Sequence, residues 1–158
     1  MSIQNRKKDH LQLTVSEQTQ YDTNSGLYAY HLRHNALPEV NFTDISTDLI
    51  FLNRSFSFPL FISSMTGGYS GAEAVNAIIA EFCQQHNIPF GVGSQRAMLE
   101  NVKESASFEV VRKKAPDAFI AANIGGAQLI GGLSKDHCRA LIESIEANAV
   151  IVDRKSVV

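Results

Sequence analysis

One stretch of the sequence joins an apolar run to a polar, glycine-rich end: Phe58-Pro59-Leu60-Phe61-Ile62-Ser63-Ser64-Met65-Thr66-Gly67-Gly68. A short apolar run that stops in hydroxyl and glycine residues is typical of a strand buried on both faces, with a functional loop at its carboxyl end. Residues 88–96 and 118–126 repeat this pattern. Nine of the ten glycines lie in or just beyond the three predicted strand ends, so we expect the loops to carry the site.

Three further segments have the periodicity of amphipathic helices. We predict that Asn87 ends the first helix, that Pro116 ends the second and that Ser134 caps the third. A last strand is predicted over residues 149–152. The apolar residues expected to face the core are Val75, Ile78, Ile79 and Phe82 in the first helix, Phe108 and Val111 in the second, and Cys138, Leu141, Ile142 and Ile145 in the third.

The alternation of strands and helices predicts an α/β fold with a parallel sheet and right-handed crossovers. Two architectures fit, an open doubly wound sheet and a (β/α)₈ barrel. Four strands make half a barrel, and a whole barrel typically needs about 250 residues, so length alone favours the open sheet. No Gly-x-Gly-x-x-Gly follows the first strand, which disfavours a nucleotide-binding fold. Ahead of the sheet, residues 48–58 predict a small hairpin around Asn53-Arg54.

The composition excludes several classes of protein. The chain has 158 residues, 44% of them hydrophobic and 19% charged, with a net charge of −2, as in a soluble globular domain. Its basic runs are too short for a nucleic-acid footprint, and no stretch approaches the roughly 20 apolar residues of a membrane span. Because the first residues are polar and lack a signal core, we expect a cytoplasmic protein without a nucleic-acid or membrane partner. Cys83 and Cys138 have no metal spacing and are interpreted as buried free thiols.

Two of the loops carry groups that suit a phosphorylated or flat ligand. Arg96 follows two glycines and Ser94 at a strand end, where a guanidinium can bind phosphate oxygens in a two-pronged geometry. The alternative for Arg96 is a surface salt bridge. Residues 64–68 offer hydroxyls and accessible backbone N–H groups, and their alternative is a tight turn that requires glycine. By residue chemistry alone, Arg6-Lys7-Lys8 is interpreted as a solvated terminus.

Taken in order and spacing, four motifs resemble the FMN-dependent type 2 isopentenyl-diphosphate isomerases, from about residue 5 to about residue 152. The motifs are Arg6-Lys7 followed by His10, Ser64-Met65-Thr66-Gly67-Gly68, Gly93-Ser94-Gln95-Arg96 and Asn123-Ile124-Gly125. The resemblance implies a (β/α)₈ barrel in place of the open sheet. It implies that residues 1–47 form an N-terminal extension over the active site. Residues 48–158 would then form the first half of the barrel, with about four β/α units.

The resemblance also implies a site. A small-molecule diphosphate substrate would be held by Arg6, Lys7, His10, Ser94 and Arg96. FMN would contact Ser64, Met65, Thr66, Ser94 and Asn123. The expected activity is the interconversion of isopentenyl and dimethylallyl diphosphate, with reduced FMN as acid and base, NADPH as its reductant and Mg²⁺ on the diphosphate. No catalytic side chain and no metal ligand are expected within these residues, and the full-length protein is expected to be a homo-oligomer.

The end of the chain departs from that family. After Val152 the family continues with a His-x-Asn-Pro-Leu-Gln-Glu segment, whereas here the sequence from Asp153 is Asp-Arg-Lys-Ser-Val-Val. The glutamine that contacts substrate and the glutamate that holds Mg²⁺ therefore have no counterpart. We interpret the tail as a truncation or a foreign read-through, and we expect this segment by itself to be inactive. The alternatives are another FMN-dependent barrel enzyme, such as a 2-hydroxy-acid oxidase, and a non-catalytic half-barrel.

Overall fold

The computed structural model describes residues 3–16 and 23–154 and has a mixed α/β architecture. The described helices are α1 (Ile3–Val15), α2 (Ala72–His86), α3 (Arg96–Glu100), α4 (Ala106–Lys114), α5 (Gly126–Ile130) and α6 (Lys135–Ser144). The strands are β1 (Leu49–Phe51), β2 (Arg54–Phe56), β3 (Phe90–Gly91), β4 (Ile120–Gly125) and β5 (Ala149–Asp153). Short 3₁₀ turns lie at Leu27–Ala29, Phe42–Asp44 and Val102–Glu104. Within these ranges, every helix is too short or too polar to cross a bilayer.

A parallel sheet in the order β3-β4-β5 forms the centre of the structure. Phe90 pairs with Ile120, and Ala121 pairs with Ala149, so each strand lies beside the one before it in the chain. This confirms the predicted parallel arrangement of the last three strands. It follows from the alternation of strands with crossover helices.

The predicted strand over residues 58–62 was wrong in its extent. It is reduced to one parallel bridge between Ile62 and Phe90, in which Ile62 N donates to Pro89 O at 3.0 Å. Pro59 has no N–H to donate to a ladder, which explains why the pairing does not extend toward the start of the run. Phe58 and Leu60 are 44% and 54% exposed, so the run is not buried on both faces as predicted.

The main core fills the space between the sheet and two helices, α2 and α4. Phe108 and Val111 of α4 are fully buried, as predicted, against Phe90 and Ile120 of the sheet. Ile145, just after α6, joins the same cluster. On the other side of the sheet, Phe56 of the hairpin packs edge-on against Phe119 with ring centroids 5.7 Å apart, forming a second, smaller cluster.

The predicted inner face of α2 was correct in part, since Ile79 packs against the core. Ile78 and Phe82 are 69% and 44% exposed, whereas Ala80 and Cys83 are completely buried. Helix α2 packs closely on α4 and buries small residues there, while Ile78 and Phe82 lie outside the contact. The hydrophobic spacing had the correct period, but the buried face is rotated toward Ala80 and Cys83 and away from Ile78 and Phe82.

Local turn chemistry agrees with the sequence more closely. Asn87 ends α2 in the left-handed conformation with φ 50°, and Ser134 Oγ caps α6 by accepting from His137 N at 3.2 Å, both as predicted. The predicted hairpin is confirmed, but its turn lies at Leu52 and Asn53, one residue earlier than expected. Both residues have positive φ, as a two-residue type I′ turn requires.

Both cysteines are free, as expected, although Cys138 is only half-buried.

Arg112 of α4 ties together the turns at the amino-terminal end of the sheet. Its guanidinium donates to the carbonyls of Ala115 and Ala118 before β4 and to the carbonyls of Ile145 and Glu146 before β5, at 2.8–3.2 Å. Burial lowers the pKa of Arg112 from its usual value, but an arginine remains charged at physiological pH. A single side chain thus holds the segments that precede β4 and β5. We call this set of hydrogen bonds from Arg112 the Arg112 clasp.

Candidate functional site

Polar side chains gather at the carboxyl end of the sheet, where the loops after Ile62, β3 and β4 meet helix α1. They enclose a small cavity of about 60 Å³, here called the loop cavity. Pockets for whole small-molecule ligands usually measure about 300–1,000 Å³, so the loop cavity accommodates one edge or one group of a larger ligand. Its lining includes six of the predicted site residues and one more: Lys7, His10, Ser64, Met65, Ser94, Asn123 and Asp153.

Two polar atoms of the loop cavity lack hydrogen-bond partners in the described structure. They are Ser64 Oγ and Asn123 Oδ1, and both are buried. An unsatisfied buried polar atom costs about 1–3 kcal/mol, so such atoms are rare in folded proteins. A serine hydroxyl can donate or accept, and an amide oxygen accepts. The pair therefore matches a ligand edge that carries both hydrogen-bond donors and acceptors.

Lys7 connects helix α1 to two of the loops. Its Nζ donates to Gly67 O at 2.5 Å and to Ser94 O at 3.0 Å. It also lies 5.7 Å from the centroid of the Phe108 ring, within reach of a cation–π contact. The ammonium therefore holds α1 across the loop ends, and its predicted contact with a diphosphate stays a prediction. Arg6 lies on the same helix, but its side chain is outside the described part of the chain.

Arg96 lies apart from the other predicted substrate residues. It begins α3, and its guanidinium faces Glu100 one helical turn later. Arg96 lines a wider groove of about 460 Å³ together with Gln128, Leu133 and His137. The structure therefore shows the salt bridge that was the alternative for Arg96, and it does not bring Arg96 into the loop cavity with Lys7.

Thr66 turns its hydroxyl away from the loop cavity. The hydroxyl bonds to Asn76 Oδ1 in the interior, and Thr66 O accepts from Gly93 N at 2.6 Å. A Cβ at residue 93 would overlap that carbonyl, so glycine is required for the two loops to come this close. Met65, beside Thr66, is 73% exposed and lines the cavity. The predicted contact of Thr66 with a flavin would thus involve its backbone.

Gln95 is a site residue that the sequence reasoning missed. It is fully buried, and its Nε2 donates to Leu141 O at 3.0 Å. Its backbone N donates to Asn123 O at 2.9 Å, while its side-chain Oε1 accepts from Asn123 N at 3.3 Å. Gln95 therefore fixes the backbone of Asn123 from two sides. Its position within Gly93-Ser94-Gln95-Arg96 was the available signal, but local sequence could not indicate its partners.

The comparisons with known proteins agree with the predicted resemblance. The family described as FMN-dependent dehydrogenase matches residues 6–142. Three similar proteins are each named isopentenyl-diphosphate delta-isomerase. The one from Chlorobium phaeovibrioides is 43% identical over 152 residues, covering 96% of this chain and 43% of that protein.

The other two relatives come from different organisms. The protein from Archaeoglobus fulgidus is 43% identical over 152 residues, covering 96% of this chain and 44% of its own length. The one from Nostoc sp. is 39% identical over 150 residues, covering 94% and 43%. The chain thus spans less than half the length of these relatives. Over the residues that it shares with them, it belongs to the FMN-dependent dehydrogenase family and resembles its type 2 isopentenyl-diphosphate isomerases, as the sequence motifs predicted.

Proposed function

We propose that these residues are part of an enzyme that interconverts isopentenyl diphosphate and dimethylallyl diphosphate by a 1,3-proton shift. The observation that carries the proposal is the loop cavity, where two unpartnered buried polar atoms lie beside Lys7 and His10. The names of the relatives support the same reaction. The residues supply binding groups of two kinds, one kind for a polar ring edge and the other for an anion.

The cofactor end of the site would be formed by Ser64 and Asn123. Their unsatisfied Oγ and Oδ1 fit the polar edge of a flavin, and the exposed Met65 side chain offers an apolar surface for its ring. When bound, reduced FMN would supply the acid and base for the proton shift, as cofactors do in enzymes whose side chains provide only binding and orientation. Ser94 would contact both the flavin and the substrate, since it lines the same cavity as Asn123 and Lys7.

The substrate end would be formed by Lys7 and His10, with Arg6 from the same helix. Cationic groups bind a diphosphate through charge-assisted hydrogen bonds, which are about twice as strong as neutral ones. Arg96 would also bind the diphosphate, and its guanidinium would have to break its salt bridge with Glu100 to do so. The proposal also includes NADPH as the reductant of the flavin and Mg²⁺ on the diphosphate, and we assign neither to a side chain of this segment.

The wider architecture belongs to the same proposal. Residues 1–47 would cover the site, and the linkage of α1 to two loops through Lys7 supports that arrangement. Residues 48–158 would form the first half of a (β/α)₈ barrel. The consecutive order of β3, β4 and β5 fits a barrel and equally fits one half of a doubly wound sheet, so the barrel is proposed from the family match. A homo-oligomer is proposed for the full-length protein.

The test is an isomerase assay on a full-length protein that carries this segment. Purified protein with reduced FMN and Mg²⁺ is expected to convert isopentenyl diphosphate to dimethylallyl diphosphate, with no net consumption of NADPH after the flavin is reduced. Oxidation of a 2-hydroxy acid by the same preparation, without isomerisation, would instead favour the oxidase alternative.

A further inference from the structure

We propose that Asn76 and Ser107 are positioning residues that hold the turn Thr66-Gly67-Gly68 in the shape that receives the flavin. The inference rests on the proposed function, because the turn follows directly on Ser64 and Met65 of the loop cavity. Neither residue lines that cavity. Both would act on the ligand only through the turn.

Asn76 reaches the turn from helix α2. It is fully buried, and its Oδ1 bonds to the Thr66 hydroxyl. Its Nδ2 donates to Ser107 O at 2.6 Å. Both ends of the amide are therefore occupied, and each joins α2 to a different segment. A buried amide that is paired at both its oxygen and its nitrogen favours one arrangement of its neighbours, because losing either bond leaves a polar atom unpaired.

Ser107 reaches the same turn from the first residues of α4. Its Oγ accepts from Gly68 N at 2.9 Å and donates to Glu104 O at 2.8 Å. Ser107 is 3% exposed, so water cannot easily take the place of either bond. Helix α2 therefore bonds to Thr66 at one end of the turn, and helix α4 bonds to Gly68 at the other end.

The turn needs this support because its backbone is unusual. Gly67 and Gly68 have φ of 140° and 81°, which side chains rarely adopt. Two glycines in sequence are flexible in the absence of tertiary contacts, since glycine has the greatest backbone freedom of any residue. The Asn76–Ser107 pair restricts that freedom before a ligand arrives, in addition to the bonds that Lys7 and Gly93 make to Gly67 O and Thr66 O. Preorganisation of this kind raises affinity by lowering the ordering cost of binding.

The test uses Asn76→Ala in a full-length protein that carries this segment, with Gln84→Ala as the matched control. Gln84 lies on the same helix, and its amide also bonds to distant backbone, accepting from Asp117 N at 2.9 Å and Ala118 N at 3.0 Å. Both variants are expected to lower the melting temperature. Only Asn76→Ala is expected to weaken FMN binding tenfold or more, whereas Gln84→Ala should stay within twofold of wild type.

A second readout does not depend on the ligand. Amide hydrogen exchange of residues 66–68 in the FMN-free protein is expected to be at least tenfold faster in Asn76→Ala and unchanged in Gln84→Ala. Equal flavin affinity in the two variants, or unchanged exchange at the turn, would overturn the inference. Failure of the wild type to bind FMN would overturn the proposed function, and exchange at the turn would still decide whether Asn76 positions it.

A second pair of variants covers the case in which Asn76→Ala does not fold. Ser107→Ala removes the acceptor of Gly68 N, whereas Ser105→Ala changes a neighbouring serine whose side chain makes no capping bond to α4. Faster exchange of residues 66–68 and weaker flavin binding are expected in Ser107→Ala alone. The same effects in Ser105→Ala would contradict a specific role for Ser107.

Discussion

Arg96 Nε lies 3.4 Å from Glu100 Oε1, one turn further along α3. The pair is partly exposed, with 33% and 51% of the two side chains accessible to solvent. Glu100 thus competes for the guanidinium that we propose for the diphosphate. An exposed pair at this spacing is worth about 0.3–0.5 kcal/mol, which is small beside a charge-assisted contact to phosphate.

We predict that Glu100→Gln lowers the KM for isopentenyl diphosphate about twofold in a full-length protein, because the weak competing contact is worth no more than that. Steady-state kinetics at low ionic strength would measure the change. Glu109→Gln is the matched control, since it removes a similar i,i+4 pair with Lys113 on α4, away from the site. A higher KM in Glu100→Gln would show that Glu100 orients Arg96 toward the substrate rather than away from it.

Asn123→Ala is expected to weaken FMN binding by about fivefold to a hundredfold. The variant removes an amide oxygen that is buried without a partner in the described structure, and such a group is worth about 1–3 kcal/mol once a ligand satisfies it. Flavin fluorescence titration would measure the affinity. Asn148→Ala is the control, since its Oδ1 accepts from Ile120 N at 2.9 Å at the other end of β4. Equal losses of flavin affinity in both variants would show that Asn123 does not contact the flavin.

Arg112→Lys is expected to lower the free energy of unfolding by about 2–4 kcal/mol. Lysine retains the charge but not the planar fork that reaches several carbonyls at once, and each bond to a charged group contributes about 1.5–3 kcal/mol. Urea denaturation of a full-length protein would measure the loss. The neighbouring Lys113→Ala, on a side chain that is 72% exposed, should stay within about 0.5 kcal/mol of wild type. An Arg112→Lys variant with the same free energy of unfolding as wild type would mean that the Arg112 clasp does not depend on the planar guanidinium.

The buried Cys83 gives the fold a dependence on alkaline pH. Burial raises the pKa of its thiol from 9.0 to about 11. Because the unfolded chain ionises this thiol first, Cys83 favours the folded state fully below about pH 9, and this contribution is lost as the pH rises toward about 11. Melting temperatures of wild type and Cys83→Ala across this range are expected to converge. A constant difference between them would show that the thiol does not titrate as described.

Expressed by itself, the 158-residue segment is predicted to self-associate and to bind no stoichiometric FMN. The outer side of β5 has no strand partner in the described structure, and Val150 and Val152 are 39% and 54% exposed. An unpaired edge with apolar side chains is a template for pairing with another chain. Light scattering after gel filtration, together with the visible absorbance of the flavin, would test this. A monomeric yellow preparation would contradict it.

Features that depend on local chemistry were predictable from the sequence. Asn87 and Ser134 act through their own backbone turns, and both were predicted correctly. The parallel order of the sheet also followed from the alternation of strands and helices. The i,i+4 spacing of Arg96 and Glu100 could have indicated their pairing, because such residues are neighbours on a helix surface.

Features that depend on distant contacts were not predictable. The buried face of α2 is chosen by its packing on α4, and apolar spacing indicated Ile78 where the structure buries Ala80. The roles of Asn76 and Gln95 depend on partners far along the chain, which no short motif encodes. Pro59 lacks an N–H and could have indicated that residues 58–62 do not form a full strand. The prediction gave more weight to the apolar run.

The contact between Gly93 and Thr66 has a consequence for how such a site can evolve. Since Gly93 N donates to Thr66 O and a side chain at residue 93 would overlap that carbonyl, a substitution of Gly93 requires the loop of Thr66 to shift. The two loops therefore constrain each other at this contact, and we expect new ligand preferences to arise more readily at Met65 or Ser94, which line the cavity, than at Gly93.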